Sequence, residues 1–301
     1  MKTLLSFLFL TFAILLTAGE NVFIWSVTHP DHPGCLYLAG TVHLADKSFY
    51  PLDSAYDKVL EKSNILVFEI ANPSVPKAVQ FVLKNGMYPA GSGQSLEADF
   101  NNPELYGTFL KETEKCGVRV PSAVLGRMKP WLVFAALGEA GAAQLGYDPK
   151  YGLEKAFLAH AGKRRLVSLE TDEQQLTIIS DPGIKDEYLA QLKEFANDPP
   201  IIQKEIKKMF QAFRDCDESV MLAMVEENRK KTPVMYQKII VDRNRNMAEK
   251  LYPMLAQKEH ILVLVGLAHY IGPDSIISCL KKKGCIVKQH VKTGVAGKIA
   301  P

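Results

Sequence analysis

The sequence predicts an α/β fold: a mixed, mainly parallel sheet built from an N-terminal and a C-terminal βαβ unit, with a large helical segment between them. Three observations carry that expectation. NILVFEI, residues 64–70, is almost wholly apolar, as a strand covered on both faces should be, and it follows an amphipathic helix signal that itself follows a strand signal. ILVLVG, PDSIISCLKKKG and CIVKQHV give the same strand, helix, strand order near the other end. The residues between read mostly as helix, with insertions near 74–145 and 183–258.

Each element has a local reason. VFIWSV (22–27) and CLYLAG (35–40) are apolar runs around THPDHPG, whose prolines and glycine mark a turn. The helix signal in KSFYPLDSAYDKVLEKS begins near Pro51, and the strand after it runs from Ile65 to Ile70. VPKAVQFVLKNG, PELYGTFLKETEKCG and KPWLVFAALGEAGAAQLG read as helices, with Asn85-Gly86 and Cys116-Gly117 as helix ends. A further helix starts at Gly152. RRLVSLE (164–170) is a strand, and TDEQQLTIIS a helix start capped by Thr171 or Asp172. NDPPII (197–202) breaks the second helical stretch.

The first residues resemble a secretory signal. Lys2 precedes an apolar run from Leu4 to Leu16, and Thr17, Ala18 and Gly19 are small enough for a signal peptidase. The run is shorter than the roughly 20 residues a span needs. Residues 1–19 are therefore expected to be a signal peptide, and residues 20–301 one α/β domain, exported to the periplasm or secreted, with no stable membrane span. A formal charge of +3 gives no reason to expect nucleic acid as partner. Five cysteines, Cys35, Cys116, Cys216, Cys279 and Cys285, leave at least one unpaired within the chain, and Cys279 and Cys285 are close enough in sequence to bridge. No C-x-x-C is present.

Four polar residues fall at expected strand ends. His43 lies three residues after Gly40, and His269 three residues after Gly266. Glu69 and Glu170 close the strands ILVFEI and RRLVSLE. Ligand sites in open parallel sheets lie outside the carboxyl ends of strands. If the four strands are neighbours, two imidazoles and two carboxylates converge, a donor set that suits a divalent ion such as Mn, Co or Zn. The ion would activate water, and a carboxylate would serve as general base. His43, Glu69, Glu170 and His269 are thus the candidate metal ligands, with Glu69, Glu170 and Arg243 as candidate catalytic residues. Arg127, Arg243 and Tyr270 are candidate substrate contacts, an arginine being suited to a carboxylate or an oxyanion. A bland alternative stands beside each. Glu69 would also be satisfied by an ion pair to Arg127 or Arg243, and Glu170 by a place at a helix start. H-E-x-x-H, G-x-S-x-G, G-x-x-x-x-G-K-[ST] and G-x-G-x-x-G are all absent.

The segment LYLAGTVHLADKSFYPLDSAYDKVLEKSNILVFEI resembles the opening signature of the TraB/GumN family, which includes PrgY and is related to the Tiki proteins. NGMYPAGSGQSLEADF, DRNRNMAEKL, VLVGLAHYIGPDSIISCLKKKGCIV and the stretch from MKPW to TDEQ agree, so the resemblance runs from about Val22 to Val287. It implies a fold like that of the erythromycin-esterase and ChaN proteins, and metal-dependent hydrolysis of the Tiki kind, cleaving peptides with Mn or Co. The family's histidines and glutamates fall on His43, His269, Glu69 and Glu170. Because ChaN binds haem, the resemblance also implies an alternative: a haem- or metal-binding protein without activity, with Tyr37 as a further iron ligand, or an inactive peptide-binding regulator. The leading expectation is an exported metal-dependent hydrolase acting on a peptide or small molecule.

Overall fold

The runs on either side of THPDHPG form the antiparallel hairpin β1 (Asn21–His29) and β2 (His32–Thr41), with Trp25 opposite Leu38. The computed structural model describes residues 21–301, so the expected signal segment lies outside the described residues. The first helix, α1 (Ser54–Lys62), begins three residues beyond Pro51, because the Asp53 carboxylate caps it by accepting from the Ala55 amide at 2.8 Å. Its buried face is Ala55, Tyr56, Val59 and Leu60. The next strand, β3 (Ile65–Phe68), is shorter than expected, and Glu69 is the first residue beyond it rather than a charge inside it.

The helical middle comprises α2 (Val75–Asn85), α3 (Leu96–Phe100), α4 (Pro103–Lys115), α5 (Ser122–Leu125), α6 (Pro130–Gln144) and α7 (Leu153–Ala159). After β4 (Arg165–Ser168) come α8 (Asp172–Ile179), α9 (Lys185–Asn197), α10 (Ile201–Asp215), α11 (Glu218–Lys231), α12 (Pro233–Tyr236) and α13 (Arg243–Leu251). Thr171 caps α8 in a reciprocal box with Gln174, and the break between α9 and α10 falls at Asp198–Pro200, as NDPPII predicts. One feature is unforeseen: α12 runs into α13 through a π-helical turn, Gln237–Asp242. Such turns insert an extra residue into a helix and are frequent at functional sites.

Strands β5 (His260–Gly266) and β6 (Ile286–Val291) flank α14 (Ile276–Lys282). The six strands stand in the order β4-β3-β5-β2-β1-β6. β4, β3, β5 and β2 are parallel, and β1 is antiparallel to both its neighbours. The sheet is therefore mixed and mainly parallel. β5 and β6 do not pair, however: β6 crosses beyond β2 and β1 to the far edge. β5 suits its central slot because Ile261 to Val265 are all apolar and buried. Each fully buried aliphatic side chain of this kind contributes about 1.5–3 kcal/mol, so the sheet centre is a firm platform for whatever its ends carry. A second apolar cluster, around Phe100, Phe109, Leu137, Leu192 and Phe195, ties α3, α4, α6 and α9 together away from the sheet.

Cys279 and Cys285 do not bridge; all five cysteines are free thiols. Among the described residues no helix is long and apolar enough to cross a membrane.

Candidate functional site

The four parallel strands end on one side of the sheet, and each hands over to a residue of the expected cluster: Glu170 after β4, Glu69 after β3, His269 after β5 and His43 after β2. The strand register places Phe68 beside both Ser168 and Leu264, so the glutamates are neighbours, and the Glu170 amide donates to the Glu69 carbonyl at 2.8 Å. Gly40 forms no turn before His43. It lies within β2, and a methyl group there would meet Leu267 Cδ1 at 2.5 Å. The missing side chain lets the turn that carries His269 pack against β2.

Arg243, at the first position after the π turn, lies over the two carboxylates. Its Nη2 donates to Glu69 Oε2 and Glu170 Oε2, both at 2.6 Å, and its Nε to Glu170 Oε1 at 2.9 Å. Nη1 donates to the Ile239 carbonyl at 3.3 Å. A guanidinium has five N–H groups, so four are spent on these partners. Gln175, on α8, donates to Glu69 Oε2 at 2.9 Å and to Glu170 Oε2 at 3.4 Å. Arg243, Glu69 and Glu170 are all buried. The ion pair anticipated as the bland explanation of Glu69 is thus present, with Arg243 and not Arg127 as partner.

The other Glu69 oxygen, Oε1, accepts the Gly266 amide at 2.9 Å and lies 3.9 Å from His269 Nε2. Burial works against the Glu69 charge, but His269, Arg243, His43 and the Gly266 amide outweigh it and hold the carboxyl at about 2. Burial, reinforced by Arg243, pushes His269 down to about 4. At neutral pH the pair is an ionised carboxylate beside an uncharged imidazole, with Arg243 as the standing positive charge. His269 Nδ1 meets Asn244 Oδ1 at 2.6 Å.

His43 is reached differently. Its side chain is 71% exposed, and Nδ1 lies 3.1 Å from Glu154 Oε1. That hydrogen bond, with the Glu154 charge, raises the imidazole to about 9. Thr41 Oγ1 donates to the same Glu154 oxygen at 2.5 Å. Glu154 comes from the first turn of α7, whose start is pinned to the His43 loop: the Leu153 amide donates to the Val42 carbonyl, and Gly152 sits so close to the His43 carbonyl that no side chain would fit.

Residues 23–289 match the profile of the TraB/PrgY/gumN family. The chain belongs to this family. A protein of Treponema pallidum (strain Nichols), described as an uncharacterized protein, is similar to it: 19% identical over 283 residues, covering 89% of this chain and 82% of the other. No solved structure matches the chain.

In this TraB/PrgY/gumN protein the structure gathers four of the residues the sequence singled out, Glu69, Glu170, Arg243 and His269, in direct contact or close to it, and places His43 at the neighbouring end of β2, paired with Glu154. Two others stand elsewhere. Arg127 donates to the Tyr88 carbonyl at 3.4 Å and lines a separate hollow with Ser95, Glu97 and Ser122. Tyr270 is buried, with its hydroxyl donating to the Val263 carbonyl of β5 and its ring against Trp25, so it is wall rather than open surface. Tyr37 points its hydroxyl at His260. Glu154, Gln175 and Asn244 were missed. Each has a polar neighbour in sequence (Lys155, Gln174, and Arg243 with Arg245), so nothing adjacent marks it as a site group rather than a solvated one.

Among the described residues, no group of three or more His, Cys, Asp or Glu side chains is already arranged to hold a metal ion. The donor chemistry still fits one in part. Both imidazoles have Nδ1 tied back, the arrangement in which metal-binding histidines present Nε2. Glu69 Oε1 faces His269 Nε2. Glu170 fits less well, because Arg243 takes both its oxygens.

Proposed function

We propose that this chain is an exported metal-dependent hydrolase, acting on a peptide or a small amide or ester, with its reacting centre at the ends of β2, β3 and β5. The observation that carries the reading is the pair of acceptors His269 Nε2 and Glu69 Oε1, 3.9 Å apart. Two lone pairs that face one another in a buried place repel, and a cation between them would relieve that repulsion. His43, Glu69 and His269 would hold the ion, of the Mn, Co or Zn class. When bound, the ion supplies Lewis acidity for a scissile carbonyl.

The remaining groups act through the chain's own contacts. Arg243 keeps Glu69 ionised and fixed, so that it is a ligand and not a proton acceptor. Glu170 holds the guanidinium on two sides and serves to position it. Arg243 has one Nη1–H left among the described contacts, enough for a single hydrogen bond to substrate and too little for a two-pronged clamp. The exposed edge of His43 is the natural entry for substrate.

The test is the metal content of protein purified without chelator, for wild type and for His43→Ala/His269→Ala, with circular dichroism to check the fold. The wild type should carry about one equivalent of metal and the double variant far less. Equal content in both would remove the metal centre. Hydrolysis is tested separately: a peptide library with Mn or Co should be cleaved by the wild type and not by Glu69→Ala, and absence of turnover with every metal would leave a binding protein.

A further inference from the structure

We infer that Asn244 is a positioning residue: it fixes His269 as the Nδ1–H tautomer and thereby turns a bare Nε2 toward Glu69. The inference rests on the metal-centre reading for its purpose but not for its geometry.

The chain of contacts admits one direction only. Asn244 Nδ2 donates to the Asp274 carbonyl at 2.8 Å. A carbonyl cannot donate, so the amide nitrogen must face Asp274, and Oδ1 must be the atom facing His269. Oδ1 cannot donate either. The proton in the 2.6 Å contact therefore belongs to His269 Nδ1. On the far side of the ring, Nε2 lies 3.9 Å from Glu69 Oε1, beyond hydrogen-bonding distance. A proton on Nε2 would be buried and unshared, which is unfavourable. Asn244 is completely buried and His269 is 5% exposed, so the protein's own groups set the Asn244–His269 contact.

The surrounding elements keep the amide from rotating. Asn244 follows Arg243 directly on α13, and Arg243 is locked to Glu69 and Glu170. Asp274 lies in the loop that carries the chain from His269 to α14, and Tyr236 of α12 donates to its carboxylate at 3.4 Å. Neighbours on one helix thus serve two purposes: Arg243 orients the carboxylates, and Asn244 orients the imidazole that faces one of them. His43 is built alike, its Nδ1 held by Glu154 and Glu154 held by Thr41. Outer partners of this kind typically alter metal affinity by 10–100-fold when lost.

The experiment reads tautomer and affinity apart. Histidine-selective 15N labelling of the metal-free protein, assigned by His269→Gln, should show His269 as the Nδ1–H form at pH 7. Asn244→Leu removes the acceptor and frees the ring to move, which should shift it toward the Nε2–H form as Nε2 closes on Glu69. Asn244→Asp keeps an acceptor and should restore the wild-type pattern. Titration with Co2+ alone should then give affinity 10–100-fold weaker for Asn244→Leu and closer to wild type for Asn244→Asp. An Nε2–H form in the wild type overturns the inference even if every variant misfolds, as does an unchanged tautomer in a folded Asn244→Leu. If the tautomers behave as stated but Co2+ does not bind the wild type, the metal reading falls and the positioning role stands. If Co2+ binds wild type and Asn244→Leu equally, the positioning role is overturned and the metal reading survives.

Discussion

At the level of single residues, like charges are reconciled by a shared partner rather than by distance. Glu69, Glu170 and Arg243 form a buried trio whose charges compensate one another; removing the arginine would leave two desolvated carboxylates, a loss of about 3–5 kcal/mol in comparable cases. The two histidines respond to pH in opposite senses. His269 has its folded value lowered from 6.5 to about 4 by burial, so unfolded chain takes up a proton that folded chain refuses. Its contribution to stability is present above about pH 6.5 and is lost as pH falls toward 4. His43 is raised from 6.5 to about 9 by Glu154, so its contribution is full below about pH 6.5 and is lost as pH rises through 9. Stability against urea should therefore decline on both sides of the interval near pH 6.5. His269→Gln should flatten the acid limb between pH 6.5 and 4, and Glu154→Gln the alkaline limb between 6.5 and 9. Identical pH profiles for wild type and both variants would contradict these assignments. The histidines and glutamates were legible in sequence because each ends an apolar run, where a polar residue stands out. Their partners were not. Glu154 reads as one more acid in GLEKAF, and Asn244 as one more polar residue in DRNRNM; only the fold reveals what they face.

Among elements, the most informative contact joins the two Gly-x-x-His turns. Leu267, between Gly266 and His269, fills the space that the absent side chain of Gly40 leaves in β2. Gly40→Ala should force Leu267 aside and cost about 1–3 kcal/mol, the usual penalty for overpacking. Leu267→Ala should lower stability alone, yet the pair Gly40→Ala/Leu267→Ala should lose less than the sum of the two single changes. Additive losses in chemical denaturation would mean that the turns do not pack as described. The π turn before Arg243 belongs to the same scale. Without its extra residue the helix would be rotated by about 100°, one residue's worth of turn, and the guanidinium would leave the carboxylates. Helix periodicity in sequence could not reveal it, since VMYQKIIVDRN reads equally well as continuous α-helix.

For the whole molecule, strand types were readable and strand order was not. β5 and β6 look like consecutive partners in sequence, yet four-residue β3 fits beside β5, and polar KQH within β6 suits an edge. The C-terminal residues beyond β6 return across the start of α1. Thr293 and Gly294 amides donate to Asp53, and Lys298 and Ile299 amides to Asp57, with the Ile299 side chain buried. Deleting residues 293–301 should lower the thermal midpoint by several degrees while leaving the far-ultraviolet helix signal near that of the full chain; an unchanged midpoint would make this strap ornamental.

The central place of β5 has a consequence in time. Cys35 pairs with His260 across more than two hundred residues of chain, and Phe68 with Leu264 across nearly as many. A chain emerging from the ribosome holds β2 and β3 long before the strand that separates them exists. Contacts so distant along the chain are slow to form, and until β5 inserts, the edges of β2 and β3 that it will occupy have no partner. Bringing the two histidines together then waits on β5, and the finished site reports that β4, β3, β5 and β2 are in register.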